Sequence, residues 1–155
     1  MIDVDVFSEE KAWSKKLKNK DIFFNRICRS FPKKYKFINK KVRFSLLLSN
    51  NRNIKKLNKV FRNKNKPTDI LSFPTSKKIK IKKEIYIGDI IISFNFINKP
   101  KSQSSKFFKE KLIKTFIHGF LHLLNFDLVK KIDYIKMLKE EERIYKAVIL
   151  KTRTN

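Results

Sequence analysis

The chain has 155 residues and a formal net charge of +25, from 39 Lys and Arg against 14 Asp and Glu. Hydrophobic residues make up 41% of it, enough for one core. A field of this sign attracts polyanions, among which nucleic acid is the commonest in a cell. The abundance of Lys, Asn, Ile and Phe beside two Gly is also what an AT-rich genome produces. The charge alone therefore leaves both explanations open.

Cysteine content and the amino-terminal sequence limit the class of protein further. Cys28 is the only cysteine, which excludes an internal disulfide and a zinc site built from cysteines. Residues 1–5 carry acid where a secretory signal carries base, and no apolar region follows them. The longest apolar runs are far below the roughly 20 residues of a membrane span. We expect a cytoplasmic protein with no membrane partner.

The first half of the chain predicts two strands and two helices. Residues 2–7 alternate apolar and acidic side chains, as a half-buried strand does. Ser8 is then expected to cap a helix that reaches about Ser30, with a break near Asn19. Residues 42–49 predict a second strand, and residues 50–61 predict a second helix.

The second half predicts two more strands and two long helices. A short strand over 69–74 ends at Pro74, a residue tolerated only at sheet edges and strand ends. The remaining segments are a basic linker over 77–83, a strand over 85–93, a short segment at 94–98, a helix over about 105–125 and a last helix over about 131–150. This order predicts a single α+β domain over residues 1–155, with a small mixed sheet of about four strands packed with about five helices.

The only two histidines, His118 and His122, fall four residues apart on the strongest predicted helix. Side chains at this spacing share one face and can bind a single ion. The apolar residues of this helix form one stripe, and both histidines fall on the opposite side. A metal site is one interpretation, and two histidines that are merely close is the other. Gly119 stands where a zinc peptidase has its general-base glutamate, which excludes that chemistry.

Three blocks of sequence resemble one known family. Residues 118–127 read HGFLHLLNFD, similar to the signature HGxLHLxGYDH of the YbeY family. Residues 57–62 with 67–74 are similar to that family's LNxx[YF]R and TDVLSFP blocks, and residues 88–93 to its GDIxIS strand. The blocks follow the family's order over about residues 40–145, so the chain resembles these metal-dependent endoribonucleases.

The resemblance implies a function and a set of site residues. It implies a single-strand-specific metallo-endoribonuclease in rRNA maturation and ribosome quality control, with single-stranded rRNA and the ribosome or its subunit as partners. His118 and His122 match two ligands of one divalent ion, with zinc as the expected cofactor, and His118 is also expected to be catalytic. Arg62 matches an arginine near the metal, where a guanidinium binds the scissile phosphate and offsets charge in the transition state. Thr68, Asp69 and Ser72 match the strand beside the cleft and are expected to have a structural role first, with substrate contact second.

One departure from the family leaves three outcomes open. The family has a third metal-binding histidine directly after the aspartate, and Leu128 stands there in this chain. Asp127 could supply a carboxylate ligand, or water or an RNA phosphate could complete the site. In the third outcome the catalyst is weakened or lost, and the protein acts by binding rRNA or the ribosome. A hydrolase of another phosphoester is a further alternative.

The last predicted helix carries the one acidic cluster, Glu140-Glu141-Glu142. A docking face for a partner is one interpretation. The other, which we favour from the sequence, is a solvated helix face on which these glutamates pair with Lys136, Lys139, Arg143 and Lys146.

Overall fold

A computed structural model describes residues 1–75, 84–126 and 130–153. Of Arg153 it describes the backbone. The described residues form four strands and six α-helices: β1 (Ile2–Ser8), α1 (Ala12–Lys16), α2 (Lys20–Arg29), β2 (Lys41–Ser49), α3 (Asn51–Arg62), β3 (Ile70–Pro74), β4 (Glu84–Ser93), α4 (Phe94–Ile97), α5 (Ser105–Leu123) and α6 (Lys131–Arg153). A 3-10 turn covers Lys33–Tyr35. The α+β class is confirmed, whereas the basic linker predicted over 77–83 lies outside the described residues.

The four strands form one mixed sheet in the order β1-β2-β4-β3. The β1–β2 and β2–β4 pairs are parallel, and β3 runs antiparallel to β4 at the edge of the sheet. Pro74 ends this edge strand, where its missing N–H costs no inner ladder bond.

The two faces of the sheet bury clusters of different size. The larger cluster joins one face of β2 and β4 to α2 and α5, with Phe44 within 5.8 Å of the ring centres of both Phe116 and Phe120. The smaller cluster on the other face is formed by Ile54 of α3 with Leu71 and Ile91. The helices α3 and α5 therefore cover opposite faces.

The first predicted helix is two helices. Its predicted cap was wrong, because Ser8 is the last residue of β1 and Lys11 precedes α1 without a side-chain cap. The break near Asn19 is confirmed, since the Asn19 side chain accepts a hydrogen bond from the Ile22 N–H at 3.1 Å and starts α2.

The outer edge of β1 is covered by a side chain of α2. The Val4 N–H donates to Asn25 Oδ1 at 3.1 Å, and Asn25 Nδ2 donates to the Val4 carbonyl, also at 3.1 Å. The amide of Asn25 thus takes the place that a neighbouring strand would have at this residue.

Crossing a bilayer requires a helix of about 20 predominantly apolar residues. Within residues 1–75, 84–126 and 130–153, no helix is both long enough and apolar enough to cross a bilayer.

Candidate metal centre

Helix α5 holds both histidines at the surface of the core. Its first turn is capped by Ser104, whose hydroxyl accepts a hydrogen bond from the Phe107 N–H at 3.2 Å. Phe116 and Phe120 anchor the opposite side of the helix in the core, with no exposed area. His118 and His122 are half-buried, and the side chain of His118 is 32% exposed. Their predicted placement outside the apolar stripe is confirmed.

The two imidazole rings point the same nitrogen at each other. His118 Nε2 and His122 Nε2 are 3.0 Å apart, and the ring centres are 4.6 Å apart. On the far side of the rings, His118 Nδ1 lies 2.5 Å from Glu141 Oε1, and His122 Nδ1 lies 2.8 Å from the Phe126 carbonyl oxygen. A carboxylate and a carbonyl only accept hydrogen bonds, so each Nδ1 carries a proton and donates it. In the neutral rings each Nε2 is then an acceptor, directed toward its counterpart.

This arrangement fits two corners of a divalent metal site. Two acceptor nitrogens at 3.0 Å repel each other unless a cation or proton lies between them. Two nitrogen ligands about 2.0–2.1 Å from a tetrahedral zinc ion are themselves about 3.3 Å apart, close to the observed separation. Neutral imidazole is also a preferred zinc ligand.

The described residues supply only part of a coordination shell. Among them, no group of three or more His, Cys, Asp or Glu side chains converges on one point. Asp127, the predicted candidate for a third ligand, and Leu128, which replaces the expected histidine, both lie outside the described residues. The third ligand therefore stays a prediction.

Gly119 lies between the two histidines in the sequence and lets α5 pack directly on the sheet. A Cβ atom there would come within 2.5 Å of Ile70 Cδ1 and 3.2 Å of Ile90 Cγ2. The Ser72 hydroxyl donates to the Gly119 carbonyl at 3.2 Å. Position 119 thus faces β3 and β4, away from the histidines, and has no room for the glutamate of a peptidase motif. The contact of Ser72 agrees with the structural role expected for it.

The other residues of the same motif also hold backbone. Asp69 Oδ1 accepts hydrogen bonds from the Ile70 N–H at 2.8 Å and the Thr68 hydroxyl at 3.2 Å. The Asp69 carbonyl accepts from the Ser93 N–H at 2.9 Å. Thr68 and Asp69 thereby organise the start of β3, as their predicted structural role requires.

Arg62 lies apart from the histidine pair in this structure. It ends α3, on the opposite face of the sheet from α5, and its side chain is exposed. Its neighbour Phe61 packs against Phe73 of β3, with ring centres 5.0 Å apart. Arg62 and the histidines therefore flank the same edge strand from its two faces. For Arg62 we find no hydrogen bond or ion pair to another described residue, and its phosphate-binding role stays a prediction.

The three consecutive glutamates of α6 have three different environments. Glu142 pairs with Lys146 at 3.0 Å on the exposed face, as predicted for the whole cluster. Glu140 pairs with Arg143 at 3.3 Å, but it also accepts a hydrogen bond from the hydroxyl of the buried Tyr35, and its side chain is only 12% exposed. The predicted solvated face is confirmed for Glu142. For Glu140 the predicted pairing is present, but its carboxylate is mostly buried.

For Glu141 the predicted solvated face was wrong. Its side chain is 25% exposed and contacts His118. The signal that could have identified it is the apolar spacing of α6, where Met137, Ile144 and Val148 are buried. Residues 137, 141, 144 and 148 follow the 4-3-4 spacing of one helix face, so a carboxylate at 141 must point toward the protein.

Comparisons with known proteins agree on one family. The family model described as Endoribonuclease YbeY matches residues 6–149. A protein named Endoribonuclease YbeY from Pelagibacter ubique is 61% identical over 148 residues, covering 96% of this chain and 97% of its own. Its namesake from Neorickettsia sennetsu is 34% identical over 142 residues, covering 91% and 94%.

A solved structure supports the fold independently. The solution structure of TM1509 from Thermotoga maritima superposes with a TM-score of 0.58 at 24% identity, covering 100% of this chain and 93% of that one. Together with the three sequence motifs, the matching family model and relatives show that this chain belongs to the endoribonuclease YbeY family.

Proposed function

We propose that this chain is a metal-dependent endoribonuclease that hydrolyses phosphodiester bonds in single-stranded rRNA during rRNA maturation and ribosome quality control. The observation that carries the proposal is the pair of Nε2 atoms 3.0 Å apart, each on a ring whose Nδ1 is already bound. Relatives that are named endoribonucleases support the reaction class. The proposal places the protein in the cytoplasm, with the ribosome or its subunit as partner.

In this proposal, His118 and His122 hold one divalent ion, zinc, through their Nε2 atoms. A zinc ion bound there supplies Lewis acidity toward a phosphate oxygen and lowers the pKa of a water ligand. The chain itself orients the two rings. Glu141 and the Phe126 carbonyl accept hydrogen bonds from the two Nδ1–H groups, which keeps the protons on Nδ1 and leaves both Nε2 atoms available as ligands. Water, an RNA phosphate or Asp127 would complete the coordination.

Arg62 has the substrate-binding role in the proposal. Its guanidinium forms paired hydrogen bonds to an RNA phosphate and offsets negative charge that develops there. Because it lies beyond β3 from the histidines, the RNA strand must pass round this edge of the sheet to contact both. A flexible single strand follows such a path more readily than a rigid duplex does.

The test is cleavage of a single-stranded rRNA 3′-end fragment by wild type, His118→Ala, His122→Ala and Arg62→Ala. Each protein is assayed with zinc, with a chelator, and on the same RNA annealed to its complement. We expect chelator or loss of either histidine to abolish cleavage, Arg62→Ala to slow it about 10²–10³-fold, and the duplex to resist. Cleavage by wild type that persists in chelator and in both histidine variants would overturn the proposal.

The alternative function is binding of rRNA or the ribosome without catalysis. The replacement of the family's third histidine by Leu128 favours it. It predicts that wild type and both histidine variants bind the RNA fragment equally, with strong salt dependence, and that none of them cleaves it. The same set of proteins therefore separates the two functions.

A further inference from the structure

We propose that Glu141 of α6 is a positioning residue for the metal centre, which holds the His118 ring with Nε2 directed toward His122. The inference rests on the proposed function for the metal itself and extends it to a residue outside the three family motifs. Its basis is one contact, 2.5 Å between Glu141 Oε1 and His118 Nδ1, across 23 residues of sequence.

The position of Glu141 shows that it orients the ring and does not ligate the same ion. Nδ1 and Nε2 point to different sides of an imidazole, and Glu141 lies on the Nδ1 side. The Nε2 atom faces His122 at 3.0 Å. While Glu141 accepts a hydrogen bond from the Nδ1–H group, its carboxylate is turned away from an ion held between the Nε2 atoms.

A carboxylate at this position has two effects on a metal-binding histidine. It fixes the tautomer with the proton on Nδ1, so that Nε2 is always the ligand atom. Its negative charge also makes the ring a stronger donor to the metal. Losing such a partner typically lowers metal affinity about 10–100-fold.

Helix α6 is anchored on both sides of Glu141, so the carboxylate is held before any ligand arrives. Met137, Ile144 and Val148 are buried with at most 1% exposure. The preceding residue, Glu140, accepts a hydrogen bond from the hydroxyl of Tyr35, which lies in the 3-10 turn far away in sequence. A rigidly held partner loses little conformational entropy when the site forms.

The two histidines are held by different kinds of group, which gives the proposal a distinctive signature. His122 donates to a backbone carbonyl, that of Phe126, which a side-chain substitution does not remove. His118 depends on a side chain. Substitution at 141 should therefore disturb His118 and leave the tautomer of His122 unchanged.

The experiment compares Glu141→Ala and Glu141→Gln with wild type and with Glu142→Ala, a matched change of the exposed neighbour, whose carboxylate pairs with Lys146 at 3.0 Å. Zinc affinity is measured by competition with a chromophoric chelator. We expect about 10–100-fold weaker zinc binding for Glu141→Ala, a smaller loss for Glu141→Gln, whose amide oxygen still accepts a hydrogen bond from Nδ1–H, and no change for Glu142→Ala. Histidine nitrogen NMR of the metal-free proteins should show a mixture of His118 tautomers only in Glu141→Ala.

The outcomes separate this inference from the proposed function. If wild type binds zinc, His118→Ala does not, and Glu141→Ala binds as wild type does, the positioning role is wrong and the metal site stands. If wild type itself binds no zinc, the metal site fails, and an unchanged His118 tautomer in Glu141→Ala would overturn the positioning role as well. Thermal unfolding of each variant ensures that a loss of affinity is read only from folded protein.

Discussion

The two glycines of the chain, Gly88 in β4 and Gly119 in α5, both lie at contacts that leave no space for a side chain. At Gly119 an added Cβ would meet the end of the Ile70 side chain at 2.5 Å. At Gly88 it would meet the backbone carbonyl oxygen of Phe73 at 2.2 Å, and φ there is +141°, a region that other residues rarely adopt. A flexible side chain can shift, whereas the backbone of a paired strand cannot.

We therefore expect Gly119→Ala to lower the free energy of unfolding by about 1–3 kcal/mol and Gly88→Ala by more, because the second adds backbone strain to overpacking. Urea unfolding measures both. Lys106→Ala, an exposed change on α5, is the control and should stay within about 0.5 kcal/mol. Equal effects of the two glycine substitutions would contradict this account.

How much of the site the sequence could predict depends on how local each contact is. The histidine pair was predictable, because spacing by four on a helix fixes mutual distance without knowledge of the rest of the fold. The contact of Glu141 with His118 was not, because it requires the docking of α6 against α5. Arg62 was matched by a motif, but motif order does not reveal which face of the sheet its helix covers.

At the level of elements, α6 is held to the rest of the protein by a buried polar contact as well as by its apolar face. Tyr35 is 3% exposed, packs edge-on to Phe120 and donates its hydroxyl to Glu140. Lys34 and Arg143 lie 3.6 Å and 3.3 Å from the same carboxylate. This one group thus joins the 3-10 turn to the last helix.

We expect Glu140→Ala to destabilise the protein by about 1–3 kcal/mol, because it leaves the buried hydroxyl of Tyr35 without its acceptor. Glu142→Ala, which removes an exposed pair with Lys146, should change stability by less than about 0.5 kcal/mol. Chemical denaturation of the two variants side by side provides the measurement. A similar loss in both would mean that Glu140 acts as one more surface charge.

The same contact gives a pH dependence with a definite sign. Burial, with the hydrogen bond to Glu140 adding to it, raises the pKa of Tyr35 above its ordinary value of 10.0. The folded state therefore keeps a proton that the unfolded state loses, so this stabilisation is complete below pH 10 and falls as pH rises above it. We expect the stability advantage of wild type over Tyr35→Phe to narrow between about pH 9 and about pH 11. Parallel stability curves for the two proteins would contradict it.

Element boundaries were predictable where local chemistry sets them. The ends of β2, α3 and α5 agree with the predicted ones to within two residues. Ser8 misled the prediction because a serine before two glutamates is also a good cap, whereas pairing with Leu48 of β2 keeps it in the strand. The strand order could not be predicted, since it depends on how parallel strands far apart in sequence pair.

For the molecule as a whole, the net charge of +25 has two explanations, RNA binding and the composition of an AT-rich genome. The salt dependence of RNA binding separates them. If the charge serves RNA binding, raising salt from about 50 to about 200 mM should weaken single-stranded RNA binding by about 10²–10⁴-fold, as for six to ten phosphate contacts. Fluorescence anisotropy with a labelled oligonucleotide measures it. A loss of less than about fivefold would favour compositional bias of the genome, because scattered lysines that contact no phosphate release no counterions.

The amide of Asn25 has a consequence for how copies of this chain behave toward one another. By occupying the N–H and carbonyl of Val4, it removes the hydrogen-bonding groups with which an incoming strand would pair. We expect Asn25→Ala to self-associate with rising concentration in sedimentation velocity, while Arg26→Gln, an exposed change on the same helix, stays as wild type. A monomeric Asn25→Ala protein would show that the edge is protected by other means. If Asn25→Ala does self-associate, a single side chain keeps β1 from becoming a template for aggregation in a crowded cell.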